Sequence, residues 1–301
     1  MKNRTIRFVL LFLIIGLLFG RHTYHILSLS SEKSYTSYAV VIPFLVAYLI
    51  WKEKGTIFEF PEDSRFLAAS LAFAGLLAVI VSAYVAYRKI EGVKDTLYIA
   101  GVLLLIIGAF AQCFGTKPIK AARFPLLLLF LMVPIPELLI ERIVYVLQVG
   151  STELSKGMFS ILGVPVLQDG FVLTIPGISV EVAKECSGIN SSIALLIIML
   201  LVAHESLHAT WRALVLLLFT IPLSVVKNAI RIVTLTMLAT RVDPGFLTGR
   251  LHREGGFVFF LISLGLAYPV WKILRETERP RDDSDSATHM FEPTQPRRTV
   301  R

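Results

Sequence analysis

Residues 182–192, which read V-A-K-E-C-S-G-I-N-S-S, carry the chain from a polar, turn-rich segment into an apolar one. Residues 193–203 are almost wholly apolar, whereas no apolar run long enough to span a membrane directly precedes the stretch. Cys186 is therefore predicted to lie where an exposed loop becomes a membrane helix. The unpaired N–H groups and positive dipole end of a helix start favour thiolate over thiol. We therefore expect Cys186 to be a reactive nucleophile.

The composition indicates a polytopic membrane protein. Hydrophobic residues make up 55% of the 301 residues, and the mean hydropathy is +0.70. A membrane-spanning helix takes about 20 apolar residues, and on this rule the sequence predicts about eight spans. The predicted spans lie near residues 6–20, 36–51, 66–87, 97–115, 124–147, 188–203, 213–239 and 255–274. The predicted fold is an all-α polytopic membrane protein with a small extracytoplasmic β-meander before Cys186.

The basic residues predict the orientation of these spans. With a cytoplasmic N-terminus, 17 Lys and Arg residues lie on the cytoplasmic side and 12 lie outside, which follows the positive-inside rule. Cys186 then faces the outside. The net charge of +8 is spread over alternating loops, which favours a topological explanation over nucleic-acid binding.

Three regions are expected along the chain. Residues 1–123 are predicted to be scaffold helices, residues 124–275 the catalytic membrane core, and residues 276–301 a disordered cytoplasmic tail, because that tail is charged and contains proline. The other cysteine, Cys113, is predicted to be a packing residue near the cytoplasmic end of its helix. It would then lie on the opposite side of the membrane from Cys186, which excludes a disulfide.

The fifth predicted span is interrupted at M-V-P-I-P-E. Pro134 and Pro136 remove backbone donors and predict a kink or break. Glu137, Glu141 and Arg142 follow at once. Because charges at membrane depth are costly, these three residues either line a polar site or form the solvated, amphipathic start of an outer region.

Residues 164–183 have the pattern of short strands. An Asp-Gly pair at 169–170 and a Pro-Gly pair at 176–177 separate apolar runs, as in hairpins. Alternate residues from Ile178 to Val182 would then share one face. The predicted β-meander either covers the helix ends or offers an edge to an extended peptide.

The sequence H-E-S-L-H at residues 204–208 matches the H-E-x-x-H pattern of zinc peptidases. On a helix, His204 and His208 would share a face, and Glu205 could act as general base. A catalytic zinc needs a third ligand, and the predicted topology puts the candidates Asp243, His252 and Glu254 on the opposite side of the membrane. No metal site is therefore predicted.

The seventh predicted span carries K-N-A-I-R, which places Lys227, Asn228 and Arg231 on one helix face. Arg231 would lie about 27 Å from the cytoplasmic end of this helix, at the level of Cys186. His252, in L-H-R-E-G-G, is also predicted outside. Three segments thus bring Cys, Arg and His to one membrane face, as a thiol acyl-transfer site requires.

These motifs resemble the exosortase/archaeosortase family. The resemblance rests on C-S-G-I at 186–189, N-A-I-R at 228–231, M-V-P-I-P at 132–136 and the position of His252. It covers about residues 125–275, and E-C-S-G-I is closer to the bacterial branch.

The resemblance implies a cysteine transpeptidase of the bacterial inner membrane whose active site faces the periplasm. Its substrates would be exported proteins with a C-terminal Pro-Glu-Pro-type sorting signal, and no cofactor is implied. The nucleophile would be Cys186, the other catalytic residues Arg231 and His252, and Asn228 would support Arg231. Asn190 stands where many members have a basic residue, which leaves the subtype and the fit of the substrate open. The sequence does not identify the substrate proteins or the acceptor amine.

The sequence is also compatible with two other classes of membrane protein. An intramembrane zinc protease would use His204, Glu205 and His208. A non-enzymatic scaffold for polysaccharide export is suggested by the charges near Glu137 and Arg142.

Overall fold

The computed structural model describes residues 2–32, 38–59, 64–90, 92–183, 189–247 and 256–278. The helices in these ranges are α1 (Lys2–Glu32), α2 (Ile42–Lys52), α3 (Lys54–Ile57), α4 (Arg65–Tyr87), α5 (Lys94–Phe114), α6 (Thr116–Ala121), α7 (Arg123–Leu128), α8 (Glu137–Ile161), α9 (Ile189–Ser206), α10 (Thr210–Arg241) and α11 (Gly256–Glu276). Short 3-10 turns follow α7 at Leu129–Met132 and α10 at Pro244–Leu247. The strands are β1 (Leu167–Asp169), β2 (Val172–Ile175) and β3 (Ile178–Glu181).

Six of the described helices are long and apolar enough to cross a membrane, namely α1, α4, α5, α9, α10 and α11. The segment predicted at 124–147 falls on α7 and α8, which are bent by 92° and make a seventh span if taken together. The segment predicted at 36–51 falls on α2 which, together with the helical turn just before it, forms a shorter apolar helix from Tyr38 to Lys52. The predicted all-α polytopic membrane fold is confirmed, and each predicted segment falls on a helix.

Two glycines set the close packing of α4 against α5. A Cβ at Gly101 would lie 2.7 Å from the Gly75 carbonyl oxygen, and a Cβ at Gly75 would lie 2.8 Å from the Gly101 carbonyl oxygen. Small residues allow such backbone approach between membrane helices. In α1, by contrast, nothing in the described chain lies within 4 Å of a Cβ at Gly16 or Gly20.

The chain turns sharply at M-V-P-I-P, as the two prolines predict. The 3-10 turn after α7 ends at Met132, and α8 begins at Glu137 with Pro136 in the N-cap position. The Thr96 hydroxyl donates a 2.8 Å hydrogen bond to the Pro134 carbonyl oxygen, which ties the break to the start of α5. Beyond the break, α8 runs to Ile161, past the predicted end at residue 147, because its polar second half packs against α10.

The helix α10 connects two packed regions. Its 32 residues correspond to a length of about 48 Å, which exceeds the roughly 30 Å hydrocarbon core of a bilayer. The first half packs with α9 and α11 around Leu195, Leu216 and Ala267. The second half contributes Ile232 to a cluster with Phe159 of α8 and buried residues of the sheet. The second half of α10 therefore supports the layer formed by α8 and the strands.

The strands form an antiparallel meander in the order β1-β2-β3. Both turns use a glycine at positive φ, Gly170 at 56° and Gly177 at 90°, a conformation that glycine adopts without steric cost. Val182, the residue after β3, is 1% exposed, whereas Ser179 and Glu181 are exposed. The predicted meander and the facing of its last strand are confirmed.

Candidate active site

The polar residues of α10 lie on an interior face. Lys227 is 2% exposed and Asn228 is fully buried at 0%, while Arg231 is half-buried. A buried charge is costly unless polar groups surround it. The shared face predicted from the spacing is therefore a polar interior site.

A contact between α10 and α9 shows which part of α9 lies next to this polar face. The Lys227 ammonium donates a hydrogen bond to the Ser191 hydroxyl in the first turn of α9. α9 begins at Ile189, three residues after Cys186 in the sequence. Arg231 lies one turn further along α10, about 6 Å beyond Lys227. Arg231 thus follows, by one helical turn, the residue that contacts the first turn of α9, and its approach to Cys186 stays a prediction.

Two of the three predicted catalytic residues lie outside the described residues. Cys186 falls within residues 184–188 and His252 within residues 248–255. Of the predicted set, the structure places Arg231 and, beside it, the supporting residue Asn228. It therefore stays a prediction that Cys186, Arg231 and His252 lie close together.

A row of polar side chains on α8 faces this part of α10. The Asn228 amide nitrogen donates a 3.0 Å hydrogen bond to the hydroxyl of Ser151, which is also fully buried. The Gln148 amide nitrogen donates a 2.7 Å hydrogen bond to the Val182 carbonyl oxygen. Sequence analysis missed these α8 residues. The sequence signal for them is a stripe of polar residues at helical spacing, formed by Gln148, Ser151, Thr152 and Ser155, which the structure shows to be buried.

The H-E-S-L-H motif does not form one helix face. α9 ends at Ser206, and His208 lies beyond this end with a side chain that is 94% exposed. Its Nδ1 lies 3.8 Å from a carboxylate oxygen of Glu278. The expectation that His204 and His208 share a helix face is therefore wrong, because the helix ends between them.

His204 and Glu205 instead meet the end of α2. Their ligand atoms and one of Glu53 lie within 4.8 Å of one another, close enough to hold a metal ion. Yet Glu205 accepts a hydrogen bond from the Lys52 ammonium, and His204 Nε2 lies 3.1 Å from Glu53 Oε1. Phe124 stacks on His204 at 3.7 Å. The cluster is thus explained as interhelix ion pairs. Sequence analysis missed Glu53, since 151 residues separate it from His204.

Several helix ends contact one another in pairs. Arg4, at the start of α1, donates a 3.2 Å hydrogen bond to the carbonyl oxygen of Cys113 at the end of α5. Phe58 packs at 4.8 Å on Phe114, also at the end of α5. The Glu53–His204 contact joins the ends of α2 and α9. The charge count predicts all of these ends to be cytoplasmic. Cys113 itself is 5% exposed within an apolar cluster, which confirms its predicted packing role.

The charged residues after the proline break are on the surface. Glu137, Glu141 and Arg142 are all exposed in the first turns of α8. This exposure agrees with a solvated, amphipathic start of α8 rather than with residues that line a buried site.

The end of α11 is bound to the start of α10. Arg212 donates hydrogen bonds to the carbonyl oxygens of Leu274, at 2.9 Å, and Thr277, at 2.6 Å. The Glu278 carboxylate accepts hydrogen bonds from the backbone N–H groups of His208 and Ala209. Desolvation raises the pKa of Glu278, but these N–H groups and the Arg212 charge outweigh it and lower the pKa overall. Residues 276–278 therefore belong to the folded chain. The rest of the predicted disordered tail lies outside the described residues.

Comparison with models of known protein families identifies a match over most of the chain. A family model described as transmembrane exosortase matches residues 28–269. No curated protein and no solved structure matches the chain.

Proposed function

Because this chain belongs to the transmembrane exosortase family, we propose that it is a membrane-embedded cysteine transpeptidase. Membership supports a membrane protein involved in sorting-signal processing. The finer proposal is that it cleaves the C-terminal sorting signal of exported proteins through a thioester and transfers them to an acceptor amine. The observation that supports this proposal is the buried polar face of α10, where Lys227 donates a hydrogen bond to Ser191 in the first turn of α9 and Arg231 follows one helical turn later.

The proposed chemistry divides the work among three residues. The Cys186 thiolate attacks the scissile carbonyl carbon, and Arg231 stabilises the negative charge that develops on the carbonyl oxygen. The carbon–nitrogen bond then breaks, a thioester forms on Cys186, and His252 protonates the leaving amine. An incoming amine next attacks the thioester, gives a proton to the now neutral His252 and forms a new amide, while the Cys186 sulfur leaves as thiolate. Water in place of the amine would give hydrolysis.

The proposed location is the bacterial inner membrane, with the site facing the periplasm. The basic residues predict this orientation, and the contacts that join the helix ends near Arg4, Glu53 and His204 agree with one shared side for those ends. The polar face of α10 near Ser191 lies at the opposite end of α9 from His204.

A processing assay in cells tests this function. A co-expressed protein that carries a Pro-Glu-Pro-type signal, a membrane helix and a basic tail should be shortened by the wild type. Cys186→Ala, Cys186→Ser and His252→Ala should accumulate the uncleaved form. Arg231→Lys keeps the charge but loses the planar fork of donors, and should slow cleavage about a hundredfold or more.

Cys113→Ala is the matched control for this assay, because it removes the other thiol from an apolar cluster. It should process the substrate normally. Near-normal cleavage by either Cys186 variant, at equal abundance in the membrane, would contradict the cysteine mechanism.

A further inference from the structure

We propose that Gln148 and Lys227 are positioning residues that fix the two ends of the chain segment carrying Cys186. Gln148 contacts Val182 before this segment, and Lys227 contacts Ser191 after it. The inference rests on the proposed function, since it concerns how the nucleophile is held for that reaction.

The Gln148 contact fixes the end of the meander. Gln148 is 5% exposed and donates its hydrogen bond to the Val182 carbonyl oxygen at 2.7 Å. The Val182 N–H in turn donates to the Phe171 carbonyl oxygen at 2.9 Å. Both backbone polar groups of this buried residue are therefore paired, one with α8 and one with the sheet. Val182, which precedes residues 184–188 in the sequence, is therefore held by hydrogen bonds on both of its backbone polar groups.

The Lys227 contact fixes the start of α9. A lysine that is 2% exposed at membrane depth is costly, and packing alone would be served as well by an apolar side chain of similar length. Its ammonium donates to Ser191 in the first turn of α9, and Arg231 lies one turn away. Lys227 thus contacts the first turn of α9, which follows Cys186 in the sequence, and a cation near a thiol favours its thiolate.

The two contacts come from one packed unit. The hydrogen bond from Asn228 to Ser151 joins α10 to α8. A Cβ at Gly150 would lie 3.1 Å from a methyl carbon of Val225, so the two helices also approach closely there. Val182 and Ser191, which flank residues 184–188, are thus both bonded to this unit, and misplacement of a reacting group by about 1 Å can cost a hundredfold in rate.

The test compares Lys227→Met, Lys227→Arg and Gln148→Leu, each combined with Cys113→Ala so that Cys186 is the single thiol. Ser224→Ala is the matched control, because Ser224 is a buried hydroxyl on the same helix that bonds to its own helix, at the Thr220 carbonyl oxygen. Processing of the co-expressed substrate is measured at equal membrane abundance. A synthetic peptide with the same signal gives kcat and KM for the purified variants. The rate of Cys186 alkylation is followed against pH.

Processing should fall about tenfold or more in Lys227→Met and Gln148→Leu, and Lys227→Arg and Ser224→Ala should stay close to the wild type. The loss should be in kcat rather than KM, since neither residue is placed to touch the substrate. The pH midpoint of Cys186 alkylation should rise by roughly one unit in Lys227→Met, which removes a cation, and should not move in Gln148→Leu. A general loss of packing would not separate the two variants in this way.

Processing by Lys227→Met and Gln148→Leu at the level of Ser224→Ala would overturn the proposal. If Lys227→Met does not accumulate, Ser191→Ala decides, because it removes the acceptor and keeps both cations; an unchanged kcat in Ser191→Ala would then overturn the proposal. Failure of the proposed function is a separate result. It would appear as normal processing by Cys186→Ala, whatever the positioning variants do.

Discussion

Replacing Gly101 by alanine is expected to force α4 and α5 apart. The added Cβ would lie 2.7 Å from the Gly75 carbonyl oxygen and 2.8 Å from a methyl carbon of Val79, whereas such atoms pack best at about 3.5–4.0 Å. The Gly75 carbonyl oxygen belongs to the helix backbone, so it cannot rotate away as the end of a flexible side chain can. The helices must therefore separate by roughly 0.5–1 Å near this contact.

The expected loss in the free energy of folding follows from that separation. A gap of about 0.5–1 Å forfeits roughly a quarter to a half of the dispersion energy between facing atoms, and overpacked sites lose about 1–3 kcal/mol. Because about 1.4 kcal/mol is a tenfold change in an equilibrium constant, Gly101→Ala should raise the unfolding equilibrium constant about 5- to 140-fold.

Titration of the purified protein with sodium dodecyl sulfate in mixed micelles measures this change. Gly16→Ala is the matched control, because nothing in the described chain lies within 4 Å of its Cβ and alanine favours a helix over glycine by about 0.5–1 kcal/mol. Gly108→Ala, whose Cβ would lie 3.2 Å from the Ala72 nitrogen, should fall between the two. If Gly101→Ala unfolds at the same denaturant fraction as Gly16→Ala, the close-packing argument is wrong.

Three further results are expected. Changing His204 and His208 together to alanine should leave processing largely intact, and purified protein should lack stoichiometric zinc; loss of both processing and bound zinc would indicate a metalloprotease. Because the folded-state pKa of Glu278 is lowered, its stabilising contribution is present above the unfolded pKa of about 4.3 and is lost as the pH falls through the folded pKa. The Tm should therefore drop more steeply in acid for the wild type than for Glu278→Gln, and parallel curves would refute this. Cys186 should react with a membrane-impermeant thiol reagent in intact spheroplasts, and Cys113 only after permeabilisation; equal protection of both would contradict an outward-facing site.

Features that depend on local sequence were predictable. Long apolar runs predict spanning helices because a bilayer requires them, and the predicted segments do fall on helices. The glycine-containing pairs at 169–170 and 176–177 predict the turns of the meander, since Gly170 and Gly177 adopt positive φ. The break between α7 and α8 follows from Pro134 and Pro136, which lack the N–H groups that a helix needs.

Features that depend on a distant partner were not predictable in this way. The second half of α8 was missed because hydropathy treats Gln148 and Ser151 as water-exposed, whereas the structure buries them against α10 and the sheet. The approach of Glu53 to His204 has no local signal at all. The zinc-like motif also depends on structure beyond its own residues, since its spacing puts both histidines on one face only if the helix continues past Ser206, and it does not.

The candidate site was predictable in part. The spacing of Lys227, Asn228 and Arg231 predicts one face, and burial confirms an interior for the first two. The link from Lys227 to Ser191 could not be foreseen, because it depends on how far α9 and α10 run alongside each other.

The most direct test of the proposed cysteine mechanism is mass spectrometry of the protein trapped during processing of the substrate. Protein from cells that express the sorting-signal substrate is quenched in acid, which preserves thioesters, and is then digested and analysed. We expect a peptide containing Cys186 that carries the upstream substrate fragment as a thioester, sensitive to hydroxylamine and absent from Cys186→Ala. Unmodified Cys186 throughout active turnover, together with substrate cleavage that persists in Cys186→Ala, would contradict it.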